Sequence, residues 1–127
     1  MNNPKLIEWI LRIAVAGEFI GHGVLALQGK KAWVGWFATF GISDVNTATQ
    51  LLFVVGAIDV ALALLILIKP VRVALLWMVL WGFWTAILRP IVGESIWDFV
   101  ERSANWGAPL ALLLLVGWPQ SFKEWFK

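Results

Sequence analysis

The chain has 127 residues, 61% of them hydrophobic and 14% charged, with a formal net charge of +2. Soluble domains carry about a quarter charged residues, so this composition excludes an ordinary water-soluble protein and indicates one integral membrane domain over residues 1–127. The absence of cysteine and the single histidine exclude thiol catalysis, cysteine-held iron–sulfur clusters and bis-histidine haem ligation within one chain, so no metal site is expected.

The opening "MNNPKLIEWILRIAV" lacks a small-residue cleavage signature and runs directly into apolar sequence, so it reads as retained. The first helix is expected over residues 6–27, begun near Pro4 and released at "QGKK". Next comes "AWVGWFATFGISD", whose aromatic and small residues with few charges suit an element lying at the membrane interface. A second helix is expected over 47–68, with Ser43 or Asp44 as its cap and "KP" as its end. A third is expected over 71–88, with Pro70 in its first turn and Pro90 just past its end.

The fourth helix, over 105–118, offers only about 14 apolar positions, roughly 20 Å against a hydrocarbon core of roughly 30 Å. Either it starts below the membrane surface, with the preceding segment dipping inward, or that segment's helical part extends the span. Residues 95–104 put Ile96, Phe99 and Val100 on one side and Asp98, Glu101 and Arg102 on another, which reads as an amphipathic helix. The expected fold is therefore all-α, a transmembrane antiparallel four-helix bundle with an amphipathic interfacial segment before a short fourth helix.

Basic residues near the span ends set orientation. Lys5, Arg12, Lys69, Arg72, Lys123 and Lys127 collect on the side of the termini. Lys30, Lys31, Arg89 and Arg102 face them, diluted by Asp44, Glu94, Asp98 and Glu101, so both termini are expected in the cytoplasm. Most of the ten tryptophans fall near span ends, where indole anchors at the headgroup boundary. Trp77, Trp81 and Trp84 instead form a stripe along the third helix, either plain packing or the wall of a ligand pocket.

Three ionisable residues lie deep in the spans. Counting about 1.5 Å per residue from Leu6, Glu18 lies near mid-membrane and His22 about 6 Å further out. Positions i and i+4 share a face, so these side chains can touch, and the Gly17/Gly21 pair beside them is of the kind that lets a neighbouring helix approach. Asp59 on the second helix lies at similar depth. A charge facing lipid costs a few kcal/mol or more, so Glu18 and Asp59 are expected to face the interior. Arg89 closes the outer end of the third helix, and Arg102 and Asn105 precede the fourth. Glu18, His22 and Asp59 are the candidate catalytic residues; Trp77, Trp81, Trp84, Arg89, Arg102 and Asn105 are candidates for ligand binding. For each, a structural role in packing, or headgroup contact in the case of Arg89, stands beside the functional one.

The segments "RIAVAGEFIGHGVLAL", "GAIDVALALLILI" and "ERSANWGAPLALLLL" together resemble the DoxX-like family of small four-helix membrane proteins. The resemblance implies a bundle in the cytoplasmic membrane of a prokaryote. Some relatives are associated with thiosulfate:quinone oxidoreductase or other membrane redox complexes, and no family-wide mechanism comes with the match. The family's recurrent glycine and polar features fall on Arg12, Gly21, His22, Gly23, Gly56 and Asp59, with Asp59 standing where glutamate is expected. Glu101, Arg102, Asn105, Trp106 and Pro109 resemble a subgroup's signature.

Two functional readings follow. The first is an accessory or subunit of a membrane redox system that binds a quinone or other small amphiphile, with His22 and Glu18 exchanging protons or hydrogen bonds with its head. The chain supplies no electron carrier, so a redox partner subunit is implied. The second is a non-redox enzyme using Glu18 and Asp59 as acid and base on a hydrophobic substrate, with the tryptophans stabilising a cationic intermediate. A structural or transport role is the third class, although no convincing internal repeat or selectivity filter is present. The expected surroundings are the lipid bilayer and no nucleic acid; an oligomer is left open.

Overall fold

The computed structural model describes residues 3–127. The described residues are helical with no strand: α1 (Pro4–Leu27), α2 (Lys31–Trp36) with a 3-10 turn (Phe37–Phe40), α3 (Val45–Ile68), α4 (Arg72–Ile91), α5 (Ile96–Val100), α6 (Ser103–Val116) and a final 3-10 turn (Lys123–Phe126). Three of these, α1, α3 and α4, are long and apolar enough to cross a membrane. Their outer faces stay apolar and uncovered, as at Ile13, Leu64 and Leu80, which is the surface a multi-pass protein presents to lipid.

Local chemistry sets the helix ends. The Asn3 side chain accepts from the Leu6 N–H (3.1 Å) ahead of Pro4, capping the start of α1. Gly29, at φ +69°, stops α1: its N–H reaches Ala26 O while that of Lys30 reaches Leu25 O. Gly93, at φ +100°, repeats the device at the end of α4, with its N–H on Pro90 O and that of Glu94 on Arg89 O. Pro90 thus lies inside the last turn of α4 rather than past its end. Its missing N–H costs one bond of a turn that the glycine stop closes anyway.

The helices pair through close backbone approach. A Cβ on Gly23 would come within 2.9 Å of Gly56 O, and one on Gly56 within 2.7 Å of Gly23 O, so α1 and α3 pack backbone to backbone there. Gly82 likewise admits the Asn105 carbonyl, joining α4 to α6. The Gly17/Gly21 pair is exposed and meets nothing within 4 Å. The glycine spacing is there, but it faces outward, because the buried side of α1 carries Arg12, Val15, Phe19, Gly23 and Ala26.

At the end of the molecule that holds both described chain ends, two arginines tie off neighbouring helices. Arg12 is buried; its Nε donates to Ile66 O (2.8 Å) and its Nη2 to Leu67 O, and its guanidinium lies 3.9 Å from the centre of the Trp9 ring. Arg72 donates from Nε to Gly117 O (2.6 Å) and from Nη2 to Val116 O (3.1 Å), closing α6. Between these arginines and mid-molecule all four long elements meet in a core of Val15, Phe19, Ala63, Ile66, Leu75, Met78, Leu112 and Leu113.

The helix α6 has 14 residues, about 21 Å, and is too short to span alone. Its start packs at Gly82, nine residues and so about 13 Å below the outer end of α4. The preceding α5 follows it inward: the Phe99 ring meets Phe83 edge-on with centroids 5.8 Å apart. Of the two arrangements open from sequence, the segment before α6 therefore dips into the outer half of the molecule.

Candidate functional site

Above the core, α3 and α4 pack only sparsely although a three-residue turn joins them. The space between them, backed by α1, is a cavity of about 200 Å³. Glu18, Phe19 and His22 come from α1, Leu52, Val55 and Asp59 from α3, and Trp81, Gly82, Trp84, Thr85, Leu88 and Arg89 from α4. Residues Trp33, Trp36, Phe37 and Phe40, from α2 and the 3-10 turn, form a roof. The short α6 contributes nothing to the lining, since it starts at Gly82 and runs away from the cavity.

Each lining helix presents its polar residue for a local reason. Glu18 and His22 are one turn apart and so share the face of α1 next to the buried one. Asp59 sits one turn from Gly56, and the close α1–α3 contact at that glycine turns its carboxylate toward the same space as Glu18. Arg89 is drawn back along α4: Nη1 donates to Thr85 O, and its guanidinium lies over the Trp36 ring, 4.9 Å from the centroid. This contact holds a buried cation without a carboxylate, because an indole face attracts positive charge.

Ring contacts join the roof to α1 and α4. His22 meets Trp33 edge-on at 5.8 Å, Trp36 covers Arg89, and Phe40 lies against Trp84 at 5.9 Å. Among the described residues, Glu18, His22 and Asp59 make no side-chain hydrogen bond and no ion pair within 4 Å. Glu18 and His22 thus line one space without bonding each other. The site therefore offers two carboxylates and an imidazole to an occupant, inside walls that are otherwise mostly apolar and aromatic; the Thr85 hydroxyl donates to Gly82 O (3.2 Å) and leaves only its oxygen to accept. Among the described residues no cluster of three or more His, Asp or Glu gathers as a metal site.

Six of the nine sequence-selected residues meet at this cavity: Glu18, His22, Asp59, Trp81, Trp84 and Arg89. Three lie outside the lining. Trp77 stacks on Trp81 (5.8 Å, 9° between planes) on the exposed face of α4, one turn nearer the chain ends, at the level of the core residues Leu75 and Met78 rather than of the cavity. Arg102 is engaged locally, donating to Asp98 O (3.0 Å) and pairing with Glu101 (2.7 Å). Asn105 offers its backbone carbonyl to Gly82, and its side chain does not line the cavity. Trp33 and Trp36 read from sequence as interfacial anchors, and none of the four roof aromatics as a site residue. Positions 33, 36, 37 and 40 repeat at i, i+3, i+4 and i+7, the mark of one helical face, and that spacing was the signal.

The DoxX family model matches residues 8–69, most of α1 through the end of α3. The match takes in Glu18, His22, Asp59 and the roof, and it supports assignment of the chain to the DoxX-like family. No curated protein and no solved structure matches the chain.

Proposed function

We propose that this small DoxX-like membrane protein holds a quinone or similar ring-headed amphiphile in the cavity under α2, as an accessory of a membrane redox system. The observation that carries the reading is the cavity itself: about 200 Å³, aromatic-walled, with Glu18, His22, Asp59 and Arg89 converging from three helices. A dry cavity of about 150 Å³ is enough to hold benzene, so this one suits a single substituted ring and is smaller than the roughly 300 Å³ at which drug-sized pockets begin. A quinone ring presents carbonyl acceptors, and its reduced form presents hydroxyl donors. His22 and Arg89 supply donors for the first state; Glu18 and Asp59, with the oxygen of the Thr85 hydroxyl whose own O–H goes to Gly82 O (3.2 Å), supply acceptors for the second. Reduction adds two electrons and two protons, so the electrons come from a partner subunit and the protons can pass by way of His22 and Glu18.

In this reading α6, begun below the surface and followed inward by α5, completes a four-helix antiparallel bundle in a prokaryotic cytoplasmic membrane. Arg12 and Arg72 are occupied as helix caps, Arg89 with Trp36 and Arg102 with Glu101. Lys5 pairs with Glu8 (3.7 Å) and Lys30 lies over the Trp33 ring (4.7 Å), which leaves Lys69, Lys123 and Lys127 against Lys31 and favours cytoplasmic termini.

The test is to purify the protein in mild detergent, extract it for mass spectrometry, and titrate it in lipid nanodiscs with a short-tailed ubiquinone analogue. The expected result is saturable binding that Arg89→Ala and His22→Ala each weaken by about tenfold, a loss of about 1.4 kcal/mol. Absence of both binding and co-purified quinone overturns the reading.

A second reading draws on the two unpaired carboxylates facing Trp81 and Trp84 across one apolar space. Glu18 and Asp59 would then serve as acid and base on a hydrophobic substrate without redox chemistry. Turnover in a substrate screen that survives both Glu18→Gln and Asp59→Asn removes it.

A further inference from the structure

The cavity has walls on three helices and a roof, and its opening can be found from which lining side chains reach the surface. Of all the residues around it, only Phe40 (50% exposed) and Trp84 (39%) are exposed; the others are buried or half-buried. These two rings touch, with centroids 5.9 Å apart. The part of the lining that reaches the surface therefore lies where the 3-10 turn meets α4, at this pair.

What lies outside that opening follows from the position of Trp84. It belongs to the exposed apolar stripe of α4 formed with Trp77, Leu80 and Ile91. It sits seven residues before Ile91, about 10 Å inside the outer end of a membrane-spanning helix. That depth is hydrocarbon rather than water. Phe40 of the roof meets it there, in the turn ended by Gly41, whose φ of +87° is left-handed. Between the cavity and the exposed face of the roof, which carries Lys31, Ala32 and Gly35, stand Trp33, Trp36 and Phe37, held down by the contacts of the two tryptophans to His22 and Arg89.

We propose that the cavity is reached sideways from the lipid through a portal gated by Phe40 and Trp84, so that it selects molecules dissolved in the bilayer. This rests on the reading that the cavity is a ligand site, and it adds the class of ligand: a ring that fits inside, bearing an apolar tail that stays among the acyl chains. Size requires the same division, because about 200 Å³ holds a ring and no long chain. A water-soluble metabolite of the same ring size would have to pass the aromatic roof.

The chain contains no cysteine, so a single introduced thiol reports access to the cavity without any quinone. Thr85→Cys, and separately Val55→Cys on the opposite wall, would be reconstituted in phosphatidylcholine vesicles. Each would be treated with a long-chain alkyl maleimide dissolved in the bilayer or a sulfonated maleimide confined to water. The expected result is labelling by the alkyl reagent and none by the sulfonated one. Adding Phe40→Ala or Trp84→Ala raises the alkyl rate by about tenfold, the effect of removing about 1.4 kcal/mol of barrier, while Trp84→Phe leaves it near the parent. Labelling by the sulfonated reagent at a comparable rate overturns the portal. So does an alkyl rate that neither alanine variant changes, or no alkyl labelling at either thiol. A failed quinone titration bears on the ligand's identity and leaves this measurement standing.

Discussion

The guanidinium of Arg89 lies over the indole of Trp36, 4.9 Å from the ring centroid, so the cation of the cavity and its roof hold each other. A desolvated contact of this type contributes up to about 2 kcal/mol. Trp36→Ala is expected to lower unfolding stability in detergent by about 1–2 kcal/mol and to make residues 31–44 the first site of limited proteolysis. Trp36→Phe, which keeps an aromatic face, should recover much of both. A Trp36→Ala protein as protease-resistant as the parent would show that the roof is held elsewhere.

The backbone contact between α1 and α3 separates two kinds of glycine. Gly23→Val and Gly56→Val each force a side chain into the opposing helix, where even a Cβ would stand 2.9 Å or less from a carbonyl oxygen. Overpacking of this type costs about 1–3 kcal/mol. Gly17→Val and Gly21→Val meet open space and should stay within about 0.5–1 kcal/mol of the parent. Thermal unfolding of the four variants in one detergent decides the ordering, and equal losses at 17 and 23 would contradict it.

Arg12 caps α3 from within the molecule. Replacing it by Met removes the donors of Ile66 O and Leu67 O and leaves buried carbonyls unsatisfied. Hydrogen bonds to charged groups contribute about 1.5–3 kcal/mol, so Arg12→Met is expected to lose about that much. Arg12→Lys should recover part of it, since an ammonium reaches one carbonyl more readily than two in a fixed fork. Urea or thermal titration of both variants measures this.

Asp44 starts α3 outside the membrane-spanning segments. The Thr47 hydroxyl donates to its Oδ2 (2.6 Å) and holds its carboxyl below the ordinary carboxylate value of 3.8. A depressed pKa contributes stability that is present above the unfolded value and lost as pH falls through the folded one. The first turn of α3 should therefore keep its order at pH 5 and fray only under strongly acid conditions below the ordinary carboxylate range, while Asp44→Asn removes that pH dependence. Amide exchange of residues 46–49 from pH 5 downward is the measurement; the same acid-induced fraying in Asp44→Asn would overturn it.

Much of this molecule was legible in the sequence because membrane crossing is written in run length and apolar content. The three long helices, the shortness of the fourth and the depth of Glu18, His22 and Asp59 follow from counting residues against the thickness of hydrocarbon, with no partner needed. What the chain could not specify by counting is which face of each helix meets which neighbour. The Gly17/Gly21 spacing looks like a packing seam in one dimension, yet the seam is Gly23 against Gly56, because Arg12, Val15 and Phe19 turn the other side of α1 inward. Trp77, Arg102 and Asn105 fall outside the cavity for a related reason: the level at which the core ends and the cavity begins, a local ion pair and a backbone contact are decided by packing. The roof was the largest gap. Residues 33–40 read as an interface element, and only the sparse contact between α3 and α4 gives those aromatic rings an apolar space to cover.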